Sequence, residues 1–193
     1  MIITIPTGVL LENLSQYLDP RDRSNLASTN NHFRAIFLKT VPDIYRKGDV
    51  NNSLYNACLG GHKELAQWLI EIKGATHFDR ALEGSCLGGH KELAQWLIDT
   101  KGATYFGVAL YNACWGGHKE LAQWLIDTKG ANNFVLALNG ACMGGHKELA
   151  QWLIDTKGAT SFDRALDYAC SGGHKEIAQW LRETYIFNKK RKI

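Results

Sequence analysis

The chain has 193 residues, of which 45% are hydrophobic and 21% are charged, and these ordinary fractions exclude a largely disordered protein. Its formal net charge of +3 comes from the tail, where Lys189, Lys190, Arg191 and Lys192 supply four positive charges and leave the body near neutral. A near-neutral body lacks the basic stripe of a dedicated nucleic-acid-binding protein, and no stretch is long and apolar enough to suggest a membrane span.

Residues 1–40 are predicted to form a small unit of three short helices. Leu10, Leu14 and Leu18 recur at four-residue spacing and would share one helical face. Pro20 ends the first helix and starts the next, and apolar residues around Phe33 supply a later face. A unit of this size buries little apolar surface alone, so we expect it to pack on the rest of the chain, on a partner protein, or on both.

The residues of this unit resemble the F-box. The resemblance rests on five segments: Ile5-Pro6, Val9-Leu10-Leu11-Glu12, Tyr17-Leu18-Asp19-Pro20-Arg21-Asp22, Leu26-Ala27-Ser28-Thr29 and Phe33-Arg34. An F-box docks on the Skp-type linker protein of a cullin–RING ubiquitin ligase. The resemblance therefore implies contacts with such a linker from six residues: Ile5, Pro6, Leu10, Leu14, Leu18 and Pro20.

After a connector over residues 41–49, a 28-residue unit repeats five times without a change of spacing. Glycine pairs mark the units and begin at Gly60, Gly88, Gly116, Gly144 and Gly172. A constant period of this size predicts a stacked array in which each unit buries its apolar face against its neighbours. We place the units at residues 50–77, 78–105, 106–133, 134–161 and 162–187, followed by a basic tail over residues 188–193.

Each unit is predicted to be an antiparallel pair of helices. In the second unit, small and apolar residues from Phe78 to Cys86 share one face of a first helix, and the stripe around Trp96 belongs to a second. Gly88 is expected to end the first helix in the left-handed conformation, and Gly102 to end the second. The tryptophan row is predicted to lie in the core, and the histidine after each glycine pair to hydrogen-bond at the turn between the helices.

The last unit departs from the pattern in a way that suits a terminal repeat. Arg182 stands where the other units have isoleucine, and Ile186 stands where they have the glycine that ends the second helix. A terminal repeat must present a polar face to water. The last unit is therefore predicted to cap the array, and the residue 1–40 unit is predicted to cap the other end.

The repeat resembles the ankyrin repeat. The resemblance is carried by the pattern Ala-Cys-x-Gly-Gly-His-Lys-Glu-Leu-Ala-x-Trp-Leu-Ile at residues 113–126 and by the Gly-Ala pair that follows. The ankyrin unit is longer, at about 33 residues, and opens with a T-P-L-H motif and a β-turn, whereas Ala109-Leu110 stands at that place here. The resemblance implies an all-α, ankyrin-like solenoid with reduced or absent β-hairpins. Chains that join the two modules resemble F-box/ankyrin proteins of large DNA viruses or intracellular bacteria.

The sequence predicts neither a metal, a cofactor nor an enzyme. Each unit pairs a cysteine with a histidine, as in Cys86 and His90, but two ligands per unit do not complete a tetrahedral zinc site when units stand about 8–10 Å apart. That spacing also exceeds the reach of a disulfide, about 7 Å, so the thiols are expected to be reduced in a cytoplasmic or nuclear compartment. No nucleophile–base pair or phosphate-binding glycine loop departs from the repeat.

Differences among the five copies predict the binding surface. Positions that stay the same are explained by packing, whereas positions that vary are free to contact a partner. The variation concentrates in the first helices and the loops before them. The predicted contacts are Tyr55, Leu59, Arg80, Glu83, Leu87, Tyr111, Trp115, Asn139, Met143, Asp167 and Tyr168. The alternative is drift on a solvated surface, since single exposed apolar residues are common.

Together these features predict a protein-interaction adaptor. The repeats would capture a target protein, and the N-terminal unit would dock on the Skp-type linker of a ubiquitin ligase. One alternative is a plain ankyrin-type binding or decoy protein whose N-terminal helices only cap the array. A third hypothesis assigns nucleic-acid binding or nuclear import to residues 189–192, and the near-neutral body disfavours it.

Overall fold

The computed structural model describes residues 50–71 and 73–190, and all regular structure within these residues is α-helical. The helices are α1 Val50–Leu59, α2 Lys63–Glu71, α3 Phe78–Leu87, α4 Lys91–Lys101, α5 Phe106–Trp115, α6 Lys119–Lys129, α7 Phe134–Gly144, α8 Lys147–Lys157, α9 Phe162–Ser171 and α10 Lys175–Lys190. Odd-numbered helices are the first helices of the units and even-numbered helices the second. The predicted all-α solenoid of helix pairs without β-hairpins is confirmed across these residues.

Some predictions fall outside the described residues. These are the three-helix unit of residues 1–40, the connector of residues 41–49 and the end of the tail at residues 191–193. The six residues implied to contact a linker protein lie there too: Ile5, Pro6, Leu10, Leu14, Leu18 and Pro20.

The core is a ladder of the same side chains repeated along the stack. In the first helices the buried rungs are leucine, alanine and cysteine, as at Leu82, Ala81 and Cys86, each 0% exposed. In the second helices they are leucine and alanine, as at Leu97 and Ala94. Because first helices pack closely on the first helices of adjacent units, their variable residues form one continuous face.

The turn within each unit is built from the glycine pair and the histidine that follows. The second glycine, Gly89, takes the left-handed conformation with φ +79°, whereas Gly88 stays right-handed with φ −80°, which corrects the prediction for Gly88. Gly88 is needed for space instead, because a Cβ there would overlap the carbonyl oxygen of Leu59 in the preceding unit. Gly102 has φ +73° and ends α4 as predicted.

The histidine ties each unit to the one before it. The Nε2–H of His90 donates a hydrogen bond to the carbonyl oxygen of Leu59 over 3.0 Å. His118 makes the same bond to Leu87, also 3.0 Å long. The expected structural role of the histidine is thereby confirmed, and its partner is the neighbouring unit.

The tryptophans of the second to fifth units are half-buried, which corrects the prediction that the tryptophan row lies in the core. Trp124 packs against the edge of the core while lysine side chains cover its ring. The ammonium of Lys129 lies 5.5 Å from the ring centroid, and that of Lys91, from an earlier unit, lies 5.7 Å from it. Cation–π attraction therefore adds a second contact between units on the outer surface.

The last second helix is longer than its counterparts. Helix α10 has 16 residues, whereas α4, α6 and α8 have 11 each. The second helices α4, α6 and α8 end at a left-handed glycine, and Ile186 occupies that place in α10, so the helix continues. Arg182 is exposed, as expected of a terminal unit.

Candidate protein-interaction surface

Most of the residues predicted to contact a target lie on the continuous face of the first helices, at three levels of exposure. Arg80, Trp115 and Asp167 are exposed. Seven residues are half-buried: Tyr55, Leu59, Glu83, Leu87, Tyr111, Met143 and Tyr168. Only Asn139 is buried. The structure brings five of the predicted residues into two groups that share three ring contacts, described next.

Three rings from two units that are not adjacent form an aromatic cluster, defined as Tyr111, Trp115 and Tyr168. The centroids of Tyr111 and Trp115 are 5.9 Å apart, with the rings tilted by 52°. The centroids of Tyr111 and Tyr168 are 6.4 Å apart in an edge-to-face arrangement at 70°. Both geometries are favourable for aromatic pairs.

Gly140 on the intervening helix makes this contact possible. A Cβ built on Gly140 would lie 3.1 Å from Cδ2 of Tyr111 and would overlap the Tyr111 carbonyl oxygen. The absence of a side chain therefore lets α5 and α7 approach closely and lets the Tyr111 ring extend toward Tyr168. Burial raises the pKa of the Tyr111 hydroxyl, and the nearby Tyr168 hydroxyl adds to the rise.

A second contact on the same face joins a tyrosine to an arginine. The guanidinium carbon of Arg80 lies 5.1 Å from the centroid of the Tyr55 ring, within the range of a cation–π interaction. Gly84 plays the part that Gly140 plays above, because a Cβ there would lie 3.1 Å from Cδ2 of Tyr55. Glu83 follows Arg80 by less than one turn of α3. Burial raises the pKa of the Glu83 carboxyl, the positive charge of Arg80 lowers that pKa, and the negative charge of Asp79 raises it.

Asn139 is not on the surface, which corrects its assignment as a target contact. Its side chain is 3% exposed, and its Oδ1 is the buried side-chain polar atom without a hydrogen-bond partner in the part of the chain that the structure describes. The prediction failed because variation between copies was taken as a sign of exposure. Asn112, one position further on in the preceding unit, is also buried, and its Nδ2 donates to the Val108 carbonyl over 3.0 Å.

Two exposed apolar residues were absent from the predicted contacts. Tyr105 is 59% exposed in the loop before α5, and Val135 is 36% exposed at the start of α7. The Tyr105 loop is held by Asp79, whose Oδ1 accepts hydrogen bonds from the backbone N–H of Thr104 at 2.6 Å and of Tyr105 at 3.0 Å. The sequence varies among the copies at the position of Tyr105, and this variation could have identified Tyr105 as a candidate contact. The prediction selected only residues of the helices.

Four of the five cysteines are buried, and the histidines that follow the glycine pairs of the second to fifth units hydrogen-bond to the preceding unit. Among the described residues, no group of three or more His, Cys, Asp or Glu side chains could hold a metal ion. Burial raises the pKa of the Cys86 thiol to about 12, and Cys170 is the exposed cysteine. Over the same residues, no helix is long and apolar enough to cross a membrane.

Comparison with known families confirms the resemblance of the repeats. Residues 110–192 match a model described as ankyrin repeats (3 copies), and residues 78–126 match one described as ankyrin repeats (many copies). Repeats of this family indicate a protein-interaction module. No curated protein sequence matches the chain significantly. The resemblance of residues 1–40 to the F-box, and of the whole to viral or bacterial proteins, stays a prediction.

Proposed function

We propose that this ankyrin repeat protein is an adaptor, which captures a target protein on the first-helix face and docks on a Skp-type linker protein through residues 1–40. The observation that carries the capture is the aromatic cluster. Tyrosine and tryptophan dominate the binding energy of many protein interfaces, because they bury a large area with few rotatable bonds. Here Tyr111 already contacts both of the other rings, so little ordering remains to be done on binding.

The distribution of charge around the cluster supports an interface as well. Helices α5 and α7 contain no charged residue, whereas α3 and α9 contain three each. The charged residues are Asp79, Arg80 and Glu83 on α3, and Asp163, Arg164 and Asp167 on α9. An uncharged centre with a charged rim is the usual anatomy of a specific interface.

The docking half of the proposal rests on the F-box-like sequence. Leu10, Leu14 and Leu18 are spaced to share one helical face, which suits a groove on a partner helix bundle. A chain with this motif and a repeat surface would bring its target to a ubiquitin ligase inside the cell. The chain itself would carry out no chemistry.

The docking test uses the purified full chain and a purified eukaryotic Skp-type linker in a pull-down with micromolar bait. We expect capture of the linker, and we expect Leu14→Asp to weaken it by at least about tenfold, because a charge placed in an apolar contact costs several kcal/mol. Trp115→Ala is the matched control, since it alters the repeat face and should leave linker binding unchanged. Absence of the linker with the unaltered chain would overturn the docking half.

The plain binding or decoy protein is the second candidate. The first unit keeps the apolar sequence of the inner units, and this observation favours the second candidate. A terminal repeat needs a cover, so residues 1–40 could act as that cover without binding any partner. This candidate predicts target binding by the repeat face and no retention of the linker. The same pull-down therefore separates the two candidates.

A further inference from the structure

The two tyrosines of the first-helix face have different surroundings. Tyr111 occupies in the third unit the position of Tyr55 in the first, 56 residues earlier. Tyr55 is covered by the guanidinium of Arg80, at 5.1 Å. The residue that stands 56 positions after Arg80 is Leu136, which is half-buried and uncharged. At this position the array therefore supplies a cation to the first-unit tyrosine and an uncharged leucine to the third-unit tyrosine.

The third-unit tyrosine has more aromatic surface around it than the first-unit tyrosine has. Where the first unit has Leu59 one turn after its tyrosine, the third unit has Trp115, which is 36% exposed. The edge-to-face contact with Tyr168, at 6.4 Å, adds a ring from the far side of α7. Several rings around one point attract a cation more strongly than a single ring, because the negative potential of each ring face adds.

The charges near the aromatic cluster also favour a positive ligand. Asp167 is exposed beside Tyr168, and Glu83 lies on α3, which packs against α5. Arg164 on α9 is the only basic residue among α5, α7 and α9, and it balances one of the two aspartates of its own helix.

We propose that the aromatic cluster binds an arginine side chain of the target protein, which takes the place at Tyr111 that Arg80 takes at Tyr55. This inference rests on the proposed capture of a target by the first-helix face, and it is independent of docking on the linker. Arginine is preferred to lysine because a planar guanidinium stacks on aromatic rings as well as carrying charge. The partner is accordingly a protein segment with an exposed arginine flanked by apolar residues, which suits the uncharged α5 and α7.

The test uses a pair of short peptides on the full chain. One is acetyl-Ala-Leu-Arg-Leu-Ala-amide, and the other replaces arginine by citrulline, its uncharged isostere. Binding is followed by the NMR signal of the Trp115 indole N–H, assigned by its loss in Trp115→Phe. We expect a saturable shift with the arginine peptide and an affinity about 3- to 30-fold lower for the citrulline peptide, the range of cation–π contributions.

Three variants sharpen the test. Leu136→Arg should place a cation of the chain itself over Tyr111 and abolish the preference for the arginine peptide. Val108→Arg is the matched control, because it adds the same charge at the equivalent position one unit earlier, and it should keep most of the preference. Tyr168→Asn introduces the residue found at this position in the first and third units, so the variant should fold. Its affinity for the arginine peptide should be severalfold lower than that of the unaltered chain.

Equal affinities for the two peptides would overturn the arginine assignment and identify the cluster as an apolar docking site, with target capture left standing. No shift at Trp115 with either peptide would also overturn it. If Leu136→Arg and Val108→Arg both left the preference unchanged, the cation would not bind at Tyr111. None of these outcomes depends on the linker pull-down, so failure of the docking proposal is recognised separately.

Discussion

At the scale of single residues, the two glycines of each turn are required for different reasons. The first glycine gives space to a carbonyl of the preceding unit, and the second supplies the left-handed conformation. The histidine that follows uses the same carbonyl as its hydrogen-bond acceptor, as His118 does with Leu87. One backbone oxygen therefore joins neighbouring units through both packing and hydrogen bonding, which explains why Gly-Gly-His recurs in the second to fifth copies.

Two glycine substitutions separate steric from conformational requirements. Gly116→Ala should destabilise the chain by about 3 kcal/mol, the upper end of overpacking costs, because the new Cβ would overlap the Leu87 carbonyl oxygen. Gly130→Ala should cost only about 1 kcal/mol, since its φ of +69° is unfavourable for alanine but no atom lies within 4 Å of the Cβ. Urea denaturation measures both, and equal losses would contradict the steric role of Gly116.

The cysteine ladder predicts selective labelling. Four cysteines are buried and burial raises the pKa of each thiol to about 12, whereas Cys170 is exposed. Because the thiolate is the reactive form, one thiol of the five should react quickly with Ellman's reagent at pH 8. Cys170→Ser should remove that fast phase, and the unfolded chain should titrate all the thiols. Fast reaction of a second thiol in the folded chain would refute the burial of the ladder.

The same shifts give stability a direction with pH. An unfolded thiol ionises near its ordinary pKa of about 8.5, while the buried thiol keeps its proton until about pH 12. Between these values the folded state binds more protons than the unfolded state, so the ladder makes the free energy of unfolding fall as pH rises above about 8.5. Below that pH the thiols are neutral in both states and contribute no pH dependence.

At the scale of elements, two of the loops between units are held by an amide or acidic side chain on the first turn of the preceding first helix. Asn51 holds the loop before α3, with its Oδ1 accepting from the N–H of Thr76 at 2.9 Å, and Asp79 holds the loop before α5. The equivalent residues in the third and fourth units are Gly107 and Val135, which have no such acceptor. The middle of the array therefore lacks a loop contact that its beginning has.

Restoring that contact should stabilise the array. Gly107→Asp should place a carboxylate where it can accept from the backbone N–H groups of Asn132 and Asn133, as Asp79 does one unit earlier. The space exists, since the nearest atom to a Cβ at Gly107 is 3.7 Å away. We expect the urea midpoint of Gly107→Asp to rise. The control is Gly107→Ala, which gains only the helix propensity of about 0.5–1 kcal/mol. The free energy of unfolding of Gly107→Asp should exceed that of the control by about 1 kcal/mol, the contribution of the loop hydrogen bonds. Equal midpoints for the two variants would mean that no loop contact forms.

The first helices also show an alternation with a period of two units. Gly84 and Gly140 let α1 approach α3 and α5 approach α7 closely, and each accommodates the tyrosine of the unit before it. The other junctions have Asn112 and Tyr168 at the equivalent position. The aromatic cluster forms because the Tyr111 ring on α5 extends over Gly140 on α7 and contacts Tyr168 on α9.

At the scale of the whole molecule, the array has a central uncharged face and ends of different character. The C-terminal unit is polar where the inner units are apolar, with Arg182 exposed. An array must be capped at both ends, so a cover is required at the N-terminal end.

Deletion of residues 1–40 tests this requirement. If these residues cap the array, the shortened chain should unfold at lower urea concentration and bind a hydrophobic dye, because the first unit would expose apolar surface. The matched control removes residues 188–193, which should leave the urea midpoint unchanged. A shortened chain of unaltered stability that does not aggregate would show that the array needs no N-terminal cover.

How far the sequence predicted the molecule follows from its repetition. A constant period of 28 residues with apolar stripes at helical spacing was sufficient for the helix pairs and for the structural histidine. The resemblance to the longer ankyrin unit implied the absence of β-hairpins, which the described residues confirm. These depend on local propensity and on contacts repeated in every unit. The place of the tryptophans could not be derived in the same way, because a stripe of apolar residues does not show how deep its edge lies or that Lys91 and Lys129 cover Trp124.

The sequence by itself determined that this chain is a stack of like units and that its differences, not its repeated residues, mark the candidate surface. Only the tertiary structure decided which of those differences face water. Asn139 is buried and Tyr105 is exposed, although both vary among the copies. The tertiary structure also decided that Tyr111 meets Tyr168 across Gly140. The physical reason is that such contacts depend on how closely adjacent helices approach, and a single glycine between them sets that distance.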